Sequence, residues 1–391
     1  MGRLSIGGGP EKRGQVNIPF NRPYMTGREL GYIAEAHQAG HLAGNGAFTQ
    51  RCQDWLQNKL GVPRAFLTTS CTDALEMAAL LLDLQPGDEV IMPSFTFVST
   101  ANAFALRGAV PVFVDIRPDT LNLDESRVEA AITPRTRALV PVHYGGVACA
   151  MVDLLGLARD RKLRVVEDAA QALGSTYRDK PLGSFGDLAA LSFHETKNVI
   201  SGEGGALLVN DPSLAERADI LWQKGTNRSR FLRGEVQKYE WVDLGSSFLP
   251  GEITSAFLWA QLESADEILR RRLALWGRYH EAFTDLERRG LCSRPTVPAD
   301  CALNAHLYYL ILPTADARDR CLRLLAEQGI HAVFHYVPLH DSPAGRKYGR
   351  AQGDLSVTRD LSSRLLRLPL WLGLEDEMDR VIETVRTTLA G

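Results

Sequence analysis

The sequence predicts an α/β protein, with a large, mostly parallel sheet and a smaller α+β domain at its C-terminal end. Short aliphatic or β-branched runs recur at Glu89–Pro93, Val110–Ile116, Ala138–His143, Leu163–Glu167, Ala189–Phe193 and Ala206–Val209. They do not alternate polar with apolar, which marks strands covered on both faces, and helical spacers separate them. After about Gly251 the pattern changes to a long helical stretch, Glu252–Leu286, rich in Arg and Glu. Two strand-like pieces follow, Leu307–Leu312 and Ala332–Tyr336. The expected division is a disordered leader over 1–16, a large α/β domain over 17–250 and a small α+β domain over 251–391.

Taken in order, Met1 to Val16 carries Gly and Arg without an apolar centre, so it does not read as a secretory signal. Cys71 to Leu84 places Ala74, Leu75, Ala78, Leu81 and Leu82 on one helical stripe, which Pro86-Gly-Asp closes before the Glu89 strand. No internal repeat or low-complexity linker interrupts the chain. Its 391 residues, 45% hydrophobic and 23% charged, suffice for one large core and a smaller second one. A net charge of −3 gives no basic footprint for nucleic acid. No apolar run approaches the roughly 20 residues that cross a bilayer. The six cysteines (Cys52, Cys71, Cys149, Cys292, Cys301, Cys321) form no CxxC pair, which argues against a zinc site and a disulfide framework. A reducing cytoplasm is the expected setting.

The chemistry is concentrated beside two of the predicted strands. Lysine is scarce, eight against thirty-six arginines, yet Lys197 stands just beyond an apolar strand in a turn that runs into Gly202-Glu-Gly-Gly205. Upstream, another strand ends in Asp168. A lysine to form an imine and an aspartate to hold a pyridinium nitrogen are what pyridoxal phosphate requires of its protein. Asp168, His143, Lys197 and Pro93-Ser-Phe-Thr-Phe97 all stand at carboxyl ends of strands, where open α/β sheets bind ligands. Thr68-Thr-Ser70-Cys71-Thr72-Asp-Ala opens the apolar helix with small hydroxyls; this is either a phosphate site at a helix N-terminus or a plain cap.

Other positions admit two readings each. Asp168 could instead pair with an arginine, and Phe97 is either core or laid on a planar ring. Gln171 is a surface amide or, three residues past Asp168, faces the same cavity. His194 is catalytic or a satisfied structural histidine. Asn227 and Arg228 lie in a polar loop, and His335 and His340 are core polar groups or substrate contacts.

These segments resemble the DegT/DnrJ/EryC1/StrS sugar aminotransferases, a branch of the aspartate aminotransferase fold (type I). The matching stretches are Thr69 to Leu80, Gly87 to Asn102, Val165-Val-Glu-Asp-Ala-Ala-Gln171, Ser192-Phe-His-Glu-Thr-Lys-Asn198 and Gly202-Glu-Gly-Gly205. Pro141-Val-His-Tyr144, Lys224-Gly-Thr-Asn-Arg-Ser229, Asp243-Leu-Gly-Ser-Ser247 and Val333-Phe-His-Tyr-Val-Pro-Leu-His340 are similar to the dTDP-4-amino-4,6-dideoxygalactose transaminases within it. The likeness runs from about Asn17 to the C-terminus. One departure is the stretch from Asn198 to Gly205, one residue shorter here and next to Lys197.

The resemblance implies a large pyridoxal phosphate-binding domain and a role for each matched residue. Lys197 would hold the cofactor as an imine and shuttle protons, and Asp168 would keep the ring nitrogen protonated; His194 is a further catalytic candidate on its own two readings, not one that the resemblance assigns. Gln171 would approach the phenolic oxygen and Phe97 would stack on the ring. Ser70, Cys71 (through its backbone), Thr72 and Ser192 would hold the phosphate, completed by Asn227 from a second subunit, so a homodimer with shared active sites is expected. His143, Tyr144, Arg228, His335, Tyr336 and His340 are the candidate sugar contacts. The implied reaction moves the amino group of L-glutamate, by way of pyridoxamine phosphate, to C4 of a dTDP-4-dehydro-6-deoxyhexose. No metal is called for. A sugar dehydratase of the same family carries a histidine in place of the lysine, which Lys197 argues against, and a non-catalytic ligand-binding module is the remaining alternative. The galacto or gluco configuration of the product stays open.

Overall fold

The computed structural model describes residues 17–390, so the leader expected over 1–16 lies outside the described residues. Its first nine strands are β1 Arg64–Thr68, β2 Glu89–Pro93, β3 Val110–Val114, β4 Thr136–Leu139, β5 Arg164–Asp168, β6 Thr176–Tyr177, β7 Lys180–Pro181, β8 Leu188–Ser192 and β9 Gly205–Val209. The C-terminal part adds β10 Cys301–Ala302, β11 Tyr308–Ile311, β12 Arg350–Ala351 and β13 Leu365–Leu368. Eight of these form one sheet in the order β1-β9-β8-β5-β4-β2-β3-β12. Only β9 runs against its neighbours; every other pairing in that sheet is parallel. The expected mostly parallel sheet is therefore present.

β2, β8 and β9 are buried at every residue, which explains their unbroken apolar character. The helices over the sheet include α1 Glu29–Ala39, α2 Ala47–Leu60, α3 Cys71–Leu81, α4 Val98–Ala105, α5 Met151–Arg161, α6 Ala215–Trp222, the short α7 Arg228–Leu232 and α8 Glu252–Glu263. One face of the sheet packs Leu56, Ile91, Leu154 and Leu191 into a core; the other packs Leu75, Met92, Phe104 and Trp222. α2 has no side-chain cap of its own. Buried Glu252, at the start of α8, accepts the N–H groups of Gly46 (3.1 Å), Phe48 (2.8 Å) and Thr49 (3.1 Å) instead.

The helical stretch expected over Glu252–Leu286 breaks at Ser264 into α8 and α9 (Ala265–Ala282), with a short helix Thr284–Arg288 beyond. The break has a packing reason. Leu258 and Leu262 of α8 face the large core, whereas Ile268 and Leu275 of α9 face another core formed with Ile18, Tyr308, Leu366 and Trp371.

The strand expected over Leu307–Leu312 is β11, and its antiparallel partner is β13. The strand expected over Ala332–Tyr336 is corrected: the segment makes one bridge, Val333 to Arg367, and turns its rings elsewhere. Among the described residues no helix is long and apolar enough to cross a membrane.

Candidate active site

Parallel neighbours end at the same edge of a sheet, so β5 and β8 finish there at Asp168, which registers with Ala190, and at Ser192 two residues further on. Reversed β9 leaves β1 running with them, so α3, which follows β1, starts at that edge too. A cavity of about 790 Å³ opens there. It is lined by Ser70, Cys71, Thr72, Phe97, Asp168, Gln171, Ser192, His194, Lys197, His335 and Tyr336, eleven of the residues singled out in the sequence.

Asp168 is held by two donors: the Thr100 hydroxyl reaches Oδ2 at 2.7 Å and the Ala170 N–H reaches Oδ1 at 3.1 Å. Thr100 in turn receives the Thr96 hydroxyl at 2.8 Å. Lys197 lies in a turn closed by its own N–H on the His194 carbonyl at 2.9 Å. Burial pushes the Lys197 ammonium down from its ordinary value, and Arg367 acts in the same direction, against Cys71 and Asp168. The same burial pushes the Cys71 thiol well up, with Asp168 adding to it. Lys197 is thereby moved toward the neutral amine that attacks a carbonyl.

The hydroxyl cluster proves to be both a cap and an opening. Ser70 Oγ accepts the Asp73 N–H at 3.1 Å and caps α3, while Cys71 and Thr72 face the cavity at the positive end of the helix. Thr72 and Ser99 share a hydroxyl hydrogen bond of 2.7 Å. Gly205 presses against this turn: a Cβ there would stand 2.5 Å from the Cys71 nitrogen and from the Ser70 carbonyl. The glycine lets β9 and the helix start pack in contact.

Phe97 is 56% exposed, which excludes a core role, and its ring centre lies 6.3 Å from that of Tyr336. Gln171 is fixed at both ends, accepting the Gly145 N–H at 2.7 Å and donating to the Tyr336 hydroxyl at 2.9 Å. His194 sits at the rim; its Nδ1 accepts the Thr196 N–H at 3.2 Å and its Nε2 lies 3.7 Å from Glu203.

Five expected site residues do not line the cavity. His143 is fully buried and pairs with Glu167 at 2.9 Å, because a histidine at a strand end can turn inward to a carboxylate as readily as outward. Tyr144 is buried behind His335, which its hydroxyl meets at 2.6 Å. His340 is buried on Ser94 at 2.6 Å. Asn227 and Arg228 stand at the start of α7, away from this chain's own cavity, and the Asn227 side chain accepts the Glu240 N–H at 2.7 Å.

The structure adds residues the sequence reading missed. Thr100 was hidden on α4, and His306 stands just before β11. Arg367 lines the cavity from β13, its guanidinium 4.7 Å from the Phe20 ring centre and, among the described residues, donating only to the Phe334 carbonyl at 3.4 Å. A lone arginine among the leucines of Leu365-Leu-Arg-Leu368 was the available signal for it.

The residues fit a planar, phosphate-bearing pyridine aldehyde. The start of α3 suits the phosphate, Phe97 offers an open ring face, Asp168 suits a ring nitrogen and Lys197 suits the aldehyde. The class so defined is that of pyridoxal phosphate transferases with an aspartate aminotransferase-like sheet.

Comparison with known proteins narrows the class. The model of the DegT/DnrJ/EryC1/StrS aminotransferase family matches residues 23–386. The chain is 35% identical over 380 residues to GDP-perosamine synthase of Caulobacter vibrioides, covering 95% of this chain and 98% of that protein. It is 33% identical over 372 residues to dTDP-4-dehydro-2,3,6-trideoxy-D-glucose 4-aminotransferase of Saccharopolyspora spinosa, covering 93% and 94%. Spr1654 of Streptococcus pneumoniae, in its PMP form, superposes with a TM-score of 0.88 at 27% identity, covering 96% of this chain and 98% of that one. The chain belongs to the DegT/DnrJ/EryC1/StrS aminotransferase family. It is a sugar aminotransferase, and its cofactor is pyridoxal phosphate.

Proposed function

We propose that this enzyme transfers the amino group of L-glutamate to C4 of a dTDP-4-dehydro-6-deoxyhexose, giving a dTDP-4-amino-4,6-dideoxyhexose of galacto or gluco configuration. The observation that carries the reading is the placement of Lys197, Asp168 and Arg367 around one cavity. Arg367 has no carboxylate partner among the described residues, so its fork is available to a carboxylate of an amino acid donor. The Saccharopolyspora spinosa relative is named for 4-amination of dTDP-4-dehydro-2,3,6-trideoxy-D-glucose, which supports a dTDP-linked 4-ketone as the acceptor.

When bound, pyridoxal phosphate supplies an electron sink that carries the amino group between the two substrates. Lys197 Nζ, with its basicity lowered by burial, takes a proton from Cα of the donor and delivers one to C4 of the sugar. Asp168, oriented by Thr100 and the Ala170 N–H, holds the proton on the ring nitrogen. Gln171 and Tyr336 bound the cavity as one hydrogen-bonded unit, and Phe97 closes a ring face. His194, at the rim, assists proton movement. Ser70, Cys71, Thr72 and Ser192 take the phosphate, and Asn227 of a second copy completes that subsite in a homodimer. A cytoplasmic setting accords with six free cysteines.

The test supplies L-glutamate and dTDP-4-dehydro-6-deoxyglucose to the purified, cofactor-loaded enzyme and follows the product by mass and by the H3–H4 coupling in its NMR spectrum. A 4-amino product is expected, with 2-oxoglutarate formed in equal amount. Loss of a hydroxyl without gain of nitrogen would overturn the reading in favour of a dehydratase. Lys197→Ala is expected to abolish both transfer and the visible absorbance of the lysine-bound cofactor.

A further inference from the structure

His306 enters the cavity from a turn built to aim it. Ala305, just before it, has φ of +53°, a left-handed conformation that a residue with a Cβ adopts only under strain. The turn is clamped from three sides. Buried Arg272 donates to the carbonyls of Ala305 (3.0 Å) and His306 (2.7 Å) and has no carboxylate partner among the described residues. Asn304 donates to the carbonyls of Gln171 (2.8 Å) and Leu173 (2.9 Å), while its Oδ1 accepts the His306 N–H at 3.0 Å.

Asn198, the residue after Lys197, fixes the imidazole itself. Its amide nitrogen donates to the Asn304 carbonyl at 2.7 Å, and a carbonyl can only accept, so Asn198 Oδ1 must face His306 Nδ1, at 3.3 Å. Nδ1 therefore carries the hydrogen. Nε2 is left with a lone pair and no hydrogen-bond partner among the described residues, in a side chain that lines the cavity with Lys197 and Arg367. Burial holds the ring far from protonation, and those two cations, with Arg272, act in the same sense.

Resting on the sugar aminotransferase reading above, we propose that His306 is a specificity-determining residue whose bare Nε2 accepts a hydrogen bond from the hydroxyl on the sugar carbon next to the ketone. An acceptor has nothing to offer the carboxylates of the amino donor, and the donor's own N–H groups sit on the reacting nitrogen. The hydroxyl one bond from the reacting carbon is the donor group that must enter close to Lys197. A sugar lacking it leaves the acceptor buried and unpaired, which is the situation in which a polar site discriminates most strongly.

The experiment compares a 4-keto sugar nucleotide with its congener lacking that hydroxyl, first on the unaltered enzyme. The hydroxylated sugar is expected to be favoured roughly 10- to 100-fold in kcat/KM. In His306→Leu the preference collapses, with the loss confined to the hydroxylated sugar and to the sugar half-reaction. In His306→Gln, whose amide oxygen reaches a similar place, part of it returns. Nitrogen-15 NMR of the resting enzyme should show Nδ1 protonated. Amination without discrimination by the unaltered enzyme, or equal loss on both sugars in His306→Leu, overturns this assignment alone. Failure to aminate any 4-keto sugar overturns the function reading and this assignment with it.

Discussion

Replacing Gly205 by alanine tests the architecture of the cofactor site at one atom. The added Cβ would lie 2.5 Å from the Cys71 nitrogen and 2.5 Å from the Ser70 carbonyl carbon and oxygen. Carbon contacts settle near 3.5 Å, so backbone must yield by about 1 Å. Gly205 cannot retreat, because it is registered against Thr68 on one side and Ser192 on the other. The start of α3 therefore moves, and with it the N–H groups facing the proposed phosphate subsite. Weakening one charge-assisted hydrogen bond costs about 1.5–3 kcal/mol, so the dissociation constant for pyridoxal phosphate should rise roughly 10- to 100-fold. Overpacking costs about 1–3 kcal/mol of stability besides. Titration of cofactor-free enzyme, followed by the visible absorbance, measures the first quantity and thermal unfolding the second. Gly61→Ala is the control: it strains a φ of +65° in open space, lowering stability while leaving cofactor affinity unchanged. If Gly205→Ala binds cofactor as tightly as that control, the close-approach argument is wrong.

Three further outcomes are expected. Thr100→Val removes the hydroxyl that reaches Asp168 Oδ2 at 2.7 Å; kcat should fall about tenfold, with little change in cofactor affinity by titration. Glu252→Gln turns an amide NH2 toward some of the donors that cap α2, and should cost about 2–3 kcal/mol in chemical denaturation. Burial disfavours the Glu89 carboxylate, but hydrogen bonds from Arg350, Arg135 and Thr133 prevail and bring it down to about 2. Its contribution, about 3 kcal/mol at most, is complete above the ordinary value of 4.5 and lost as pH falls toward 2. Acid unfolding of Glu89→Gln should lack that part of the slope.

The sheet was legible where strands are buried on both faces. The expected bounds of β2 match, and those of β5, β8 and β9 agree to within a residue. β1 escaped because Arg64-Ala-Phe-Leu-Thr68 is a short apolar run that periodicity cannot tell from a piece of buried helix. β13 was masked by its arginine, and Ala332–Tyr336 read as a strand because aromatic residues favour strands as well as cavity walls. Lys197 and Asp168 could be found because topology puts strand ends together. Thr100, His306 and Arg367 could not be assembled with them, since each reaches the cavity from a segment whose place depends on tertiary packing. His143 and His340 show the converse: residue type and position suggested a contact, and the direction of the side chain decided otherwise.

The pairing of β12 with β3 sets a timetable for synthesis. Arg350 meets Glu89 through two hydrogen bonds of 3.0 Å, across 261 positions of sequence. While the ribosome makes the intervening chain, β3 stays an open edge and Glu89 lacks one of its two arginines. At about 5–20 residues per second that interval lasts on the order of 13–50 s, long enough for a nascent edge to meet a neighbouring chain or a chaperone. β12 thus acts as a seal applied long after β3 is made, and truncation before Arg350 should yield aggregates rather than a smaller working enzyme.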